Sequence, residues 1–260
     1  MASREQRLSR AHVDATDLEI ERFVSRLEKF LGQNIVSILE GIKTGSANAL
    51  NAAQILGGIR QSLIDAGLSS QLQALDRIYG VQLRSITELY SGVADASSVI
   101  ADADFKVVES LIKLDTKILE GEILKTADQV AATVMRQVIG GQPLDAQEIG
   151  RNYSEGMRRE LQSELNTTVA GYHRSVTQAK AREFNVEYFV YIGPNDGITR
   201  PFCAARINKI YTRAQIAKWD NGTRLDAAIY GGGYNCRHDL VPLSKERAEE
   251  RVSQGAYRWG

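Results

Sequence analysis

Apolar residues return every three or four positions over most of the chain, and that period gives way only in its C-terminal quarter. Ile20, Val24, Leu27, Leu31, Ile35, Ile38 and Ile42 place one stripe on a first long helix. Gly41 to Ser46 ends it, and Ser46 is placed to cap a second helix through Leu50, Ile55 and Ile59. Gly67 with Ser69 or Ser70 repeats that stop and cap, after which Leu72, Leu75, Ile78, Leu83, Ile86 and Leu89 mark a third helix. A fourth, from about Ser98 to Ile139, carries Val107, Leu111, Leu114, Ile118, Ile123 and Val130, with Gly121 as a weak point. Gly140-Gly141-Gln142-Pro143 breaks the pattern. Asp145 and Glu148 then have capping-box spacing for a last long helix that passes Tyr172 and reaches Glu183.

Beyond Glu183 the period shortens to two. Val186, Tyr188, Val190 and Ile192 alternate with Glu187, Phe189 and Tyr191, which predicts a strand. Gly193 to Gly197 is a turn, and Pro201 opens a short helix with Cys203 in its first turn. Lys209 to Thr212 is extended, Thr212 caps a helix through Ile216 and Trp219, and Arg237 to Leu243 forms a final strand. Charged helical residues Lys245 to Arg251 precede a tail that frays or docks on a partner. All four prolines (143, 194, 201 and 242) sit at breaks. The fold class that follows is mainly α: long antiparallel helices over residues about 14–184, then a small C-terminal α+β module. The expected division is a helical region of hairpins or a bundle over 1–140, a long connecting helix over 141–185, the α+β module over 186–245, and a C-terminal helix and tail over 246–260.

Composition narrows the function classes. Lysine plus arginine equals aspartate plus glutamate at 32 each, so no global field draws the chain to nucleic acid or anionic membranes. Two cysteines exclude a disulfide scaffold and fit synthesis in a reducing cytoplasm. No apolar run approaches the roughly 20 residues that span a bilayer, and the charged first residues lack the apolar core of a secretion signal. A soluble protein without membrane contact is therefore expected.

The candidate chemistry is concentrated in two segments, Asp196-Gly-Ile-Thr199-Arg200-Pro-Phe-Cys203 and Gly231-Gly-Gly-Tyr-Asn235-Cys236-Arg237-His238. Cys236 and His238, two apart on extended chain, point to one face, and Cys203 supplies a third soft donor, so these three form a candidate zinc set. Structural zinc normally takes four protein ligands, with Asp196, Asp239 or His173 as candidates for the fourth. A Cys203–Cys236 disulfide and a plain pair of buried thiols are the other two readings. For catalysis, a helix N-terminus and Arg200 would favour a Cys203 thiolate with His238 as base, and a metal nuclease would use His238 with Asp196 or Asp239. No third orienting residue is legible, and no enzyme is expected. Fold maintenance explains the polar members more simply. Asp196 and Arg200 are close enough for an ion pair, Arg237 can bind carbonyls or a carboxylate, and Asn235 suits a left-handed turn. Together Asp196, Arg200, Cys203, Asn235, Cys236, Arg237 and His238 read as a structural clasp.

Asp-x-x-Thr-Arg-Pro-x-Cys followed by a glycine-rich loop and Asn-Cys-Arg-His resembles the C-terminal signature of the MuF-like minor head proteins, the phage head morphogenesis family of tailed bacteriophages. Asp196, Thr199, Arg200, Cys203, Asn235, Cys236 and Arg237 fall on the pattern. Gly233 stands where the family has histidine, and His238 where it has its final cysteine. The resemblance covers about sixty residues and leaves the first 180 or so without a counterpart. It implies a virion structural protein made in the host cytoplasm. Its partners would be the portal protein and capsid or neck proteins, in several copies per virion, with a role in head morphogenesis and in genome packaging or ejection. Two alternatives stand beside it. One is a DNA-contacting connector or ejection protein using Arg158, Arg159, Arg174, Lys180 and Arg182, interspersed with Glu155, Glu160, Glu164 and Glu183; the other is a metal- or Cys-dependent hydrolase or nuclease.

Overall fold

The computed structural model describes residues 3–44, 53–54, 56–91 and 102–260. The protein is mainly α with a small C-terminal α+β part. Its helices are α1 (Arg4–Thr44), α2 (Ile59–Asp65), α3 (Leu68–Leu72), α4 (Leu75–Tyr90), α5 (Asp102–Ile139), α6 (Ala146–Glu183), α7 (Pro201–Ala204), α8 (Arg213–Ile216), α9 (Ala227–Tyr230) and α10 (Lys245–Ser253). The strands are β1 (Tyr188–Ile192), β2 (Lys209–Thr212), β3 (Asp239–Leu243) and β4 (Arg258–Trp259). The residues fall into two compact units. One comprises Met1–Ile20, Arg77–Val108 and Ser163–Gly260, the other Glu21–Asp76 and Glu109–Gln162.

In the helical unit, α1 buries Val24, Leu27, Leu31 and Ile35, the stripe its period predicts. Against it α6 runs antiparallel: Glu28 meets Arg158, Val36 meets Gly150 and Glu40 meets Gln147. A Cβ on Gly150 would lie 2.5 Å from Val36 Cγ2, so only glycine lets the two helices approach this closely. Asp145 accepts the Glu148 amide at 2.9 Å and starts α6 as its spacing predicts. Gly67, not a serine, occupies the N-cap position of α3, and Ser69 and Ser70 lie inside that helix. The cap and core positions expected at Ser46, Leu50 and Ile55 lie outside the described residues.

Helix α5 corrects one expectation, the choice of its buried face. It runs through Gly121 unbroken, because one glycine weakens a helix by only about 1 kcal/mol and packing outweighs that. Of the expected stripe Ile123 turns fully inward, but most of the buried side chains are others. Leu119, Ile123, Leu124, Ala127 and Val134 are buried, whereas Val107, Leu114 and Ile118 are exposed, Val107 at 56%. Apolar side chains occur around more than one face of α5, and periodicity alone did not choose between them.

In the other unit the end of α6 directs the sheet. Asn185 adopts a left-handed conformation (φ 54°), and the Val186 amide donates to the Ala181 carbonyl at 2.7 Å. The chain turns there into β1. Strand β1 pairs antiparallel with both β2 and β3, and β4 adds parallel to β2, giving the order β3-β1-β2-β4. The C-terminal tail is thus neither frayed nor unpaired: Arg258 and Trp259 extend the sheet, and β3 is not its last strand. Thr212 and Gln215 form a reciprocal capping box at α8. Both faces of β1 are covered, with Phe189, Val190, Tyr191 and Ile192 buried among Leu89, Tyr90, Ala181, Ile210 and Leu240. Among the described residues no helix is long and apolar enough to cross a membrane.

Candidate functional site

Pro201 at the first helical position fixes the start of α7, whose third residue, Cys203, faces the core. Thirty residues on, α9 ends at a glycine-rich turn, and Asn235 in left-handed geometry (φ 55°) reverses the chain. The Asn235 amide donates to Thr167 Oγ1 at 3.1 Å and its side chain to Ser163 Oγ at 3.0 Å, tying this turn to α6. The next residues are extended, so Cys236 and His238 turn inward while Arg237 turns out.

The two sulfurs meet. Cys203 Sγ and Cys236 Sγ are 3.8 Å apart, and His238 Nδ1 is 3.8 Å from Cys236 Sγ. The Tyr191 hydroxyl sits against both sulfurs, at 3.3 and 3.6 Å, and the Gly232 amide donates to Cys236 Sγ at 3.2 Å. His238 stacks on the Tyr191 ring with centroids 5.2 Å apart. Both cysteines are free thiols, and Cys203, Cys236 and His238 are 1%, 5% and 4% exposed.

Proton affinity divides unequally between the sulfurs. The hydrogen bond shared with Cys203, the nearby Arg174 charge and contacts from His238 and Tyr191 hold Cys236 below an ordinary thiol. Cys203 is pushed up by the same hydrogen bond and by burial. The catalytic reading would need the thiolate on Cys203, whereas these contacts favour it on Cys236. A deprotonated sulfur is also what a metal requires. Two sulfurs bound to one tetrahedral zinc at about 2.3 Å stand roughly 3.8 Å apart, the spacing found here, so Cys203, Cys236 and His238 fit as three of its ligands.

Behind the cluster lies Arg174 of α6, only 2% exposed. Its Nε and Nη2 donate to the His238 carbonyl at 2.8 and 2.6 Å, Nη2 also to the Cys236 carbonyl at 2.7 Å, and Nη1 to the Ile229 carbonyl at 3.1 Å. One guanidinium therefore fixes the path of the chain from α9 to β3. From sequence Arg174 had been grouped with a basic face. Packing of α6 against the α9–β3 loop turned it inward. Of that group, Arg158 pairs with Glu21 and Glu28, and Lys180 with Glu183.

Asp196 does not pair with Arg200, as its position in the sequence suggested. It accepts two hydrogen bonds from Arg237 Nη2, at 3.0 and 2.7 Å, which with the Thr199 hydroxyl hold its carboxyl below the usual carboxylate range. Arg200 is exposed, and its role is main-chain, its carbonyl accepting the Ala204 amide that closes the first turn of α7. The clasp thus joins its two segments at Asp196–Arg237 and Cys203–Cys236. Asp239 and His173 do not complete the sulfur set; they gather with His12 in a separate cluster. The buried role of Arg174 was hidden by its place in a charged helical run, and His12 was missed because His173 and Asp239 lie far from it in sequence.

Gly193 lies where β1 leaves the sheet beneath His238. A Cβ there would fall 2.4 Å from His238 Cδ2 and 2.9 Å from its Cα. Gly193→Ala is expected to destabilise the protein by about 1–3 kcal/mol through overpacking. Gly197→Ala, which meets nothing within 4 Å, should leave the urea midpoint nearly unchanged.

Compared with known protein families, with curated proteins and with solved structures, the chain matches none.

Proposed function

We propose that the protein is a virion structural component of a tailed bacteriophage, a MuF-like minor head protein that works by docking and not by turnover. The observation that carries this reading is the meeting of the two signature segments. Asp196, Thr199, Arg200, Cys203, Asn235, Cys236 and Arg237 fall on the family pattern, and their two segments are fastened by the Asp196–Arg237 pair and the Cys203–Cys236 contact. The fastening is buried at its sulfur end, which suits a rigid, shape-specific module better than a centre open to substrate. Leu114 and Ile118 on α5 supply exposed apolar surface of the kind protein contacts use. Pairing of Arg158 and Lys180 with glutamates, and burial of Arg174, weigh against a continuous DNA-binding face on α6. On this reading the protein is made in the host cytoplasm, joins the head in several copies beside the portal and its capsid or neck neighbours, and is not an enzyme.

The test is its place in the particle. An epitope-tagged chain expressed during phage growth should co-purify with gradient-isolated particles and crosslink to the portal. Recovery of the protein wholly in the particle-free fraction would overturn the reading.

A further inference from the structure

A second cluster of metal-ligand type lies apart from the cysteines. His12 of α1, His173 of α6 and Asp239 at the start of β3 are all buried, with one donor atom of each within 4.8 Å of the others. The two imidazoles stack with centroids 4.0 Å apart. Asp239 Oδ2 accepts from Ser9 Oγ at 2.9 Å, which leaves Oδ1 facing His173 Nδ1 at 3.7 Å, beyond hydrogen-bonding reach.

His173 is the informative member. It is 1% exposed, and neither ring nitrogen has a hydrogen-bond partner. A neutral imidazole always carries one N–H donor and one acceptor, and burying either without a partner is destabilising. The other two members, His12 and Asp239, line a cavity of about 40 Å³ together with Thr16, Asp17, Gln82 and Arg174, room for a water on their side of the cluster. Arg174 faces the cluster as an opposing charge, but its guanidinium is engaged by three carbonyls, and Asp17 adds a second acid to the cavity wall.

We infer that His12, His173 and Asp239 form a binding site for a divalent transition cation of the zinc type, with water in the open position. Two imidazoles and a carboxylate suit such an ion, and Ser9 holds the carboxylate from behind. Bound there, the ion fastens the first turns of α1 to α6 and β3. The inference is independent of the head-protein reading and of the cysteine cluster.

Cobalt(II) distinguishes the two clusters, because thiolate ligands give an intense near-ultraviolet charge-transfer band that nitrogen and oxygen ligands lack. Chelator-treated full-length Cys203→Ser/Cys236→Ser protein should bind one equivalent of cobalt with visible d–d absorption and no sulfur band. Adding His173→Gln or His12→Gln should abolish that equivalent. No ion bound by the folded double variant, the result for a site holding water only, overturns the inference, as does binding that survives both histidine changes. If the variants fail to fold, the wild-type chain decides, since it has three histidines. In histidine-labelled protein, added zinc should shift the ring nitrogen signals of His12 and His173. A shift confined to His238, or none, overturns it.

Discussion

Replacing Arg174 with methionine is expected to destabilise the protein by about 3–5 kcal/mol, the range for removing one member of a fully buried, fully bonded charged group. The side chain is of similar length, so the loss is chiefly in hydrogen bonding. Three carbonyls, those of Ile229, Cys236 and His238, would be left in the interior without their donor. Arg174→Lys should recover only part of the loss, because one ammonium cannot reproduce the planar fork that spans them. Urea or thermal unfolding gives the magnitude. A second readout separates this role from general packing. With its loop released, Cys236, only 5% exposed in the native fold, should react with a thiol reagent much faster in Arg174→Met than in Leu31→Ala, a core cavity costing about 2–5 kcal/mol in the other unit, even though losing the nearby positive charge leaves less of the sulfur as thiolate. Equal thiol reactivity in the two would show that Arg174 does not hold the clasp.

Glu5→Gln is expected to cost about 2–4 kcal/mol at pH 7 and almost nothing in strong acid. Glu5 is buried in the first turn of α1, where Arg251 reaches it at 3.1 Å, Arg247 at 3.3 Å and the Tyr257 hydroxyl at 3.4 Å. Burial raises its proton affinity, but a backbone amide, Ser3 and Arg251 together reverse this, and the net pKa lies below the usual glutamate value. A carboxyl with a lowered folded pKa stabilises the fold above its unfolded pKa, near 4.5, and loses that contribution as pH falls through the folded value. Wild-type and variant melting temperatures should therefore differ most at neutral pH and converge as pH falls below about 4.5 through the lowered folded pKa. A constant difference across that range would mean that Glu5 acts through shape and not through its charge. The same contacts explain why the C-terminal residues are ordered onto α1: Tyr257 is buried, and Arg258 and Trp259 pair with β2.

Much of the fold could be read from local pattern because the determinants are local. The α1 stripe from Ile20 to Ile35 is buried because 3.6-residue geometry places those side chains on one face whatever packs against them. Asp145 and Thr212 start helices for the same reason, a side-chain oxygen two or three residues from an unpaired amide. Asn235 takes its left-handed turn, and alternation on extended chain turns Cys236 and His238 inward together. Where several choices satisfied the local rules, local rules did not decide. Helix α5 had apolar residues on more than one face, and the cover available along its length selected Leu119, Ile123 and Ala127 over Leu114 and Ile118.

Residue types and spacing alone determined that this is a mainly helical protein ending in a small α+β module whose cysteines lie near one another. Tertiary structure decided which charges meet, because ion pairing depends on distance in space and not along the chain. Asp196 reaches past Arg200 to Arg237; Arg174 leaves a charged helical run to hold three carbonyls; His12, 161 positions before His173 and 227 before Asp239, joins both. No period or motif encodes such meetings, since each arises only when helices and strands that are separately specified pack against one another.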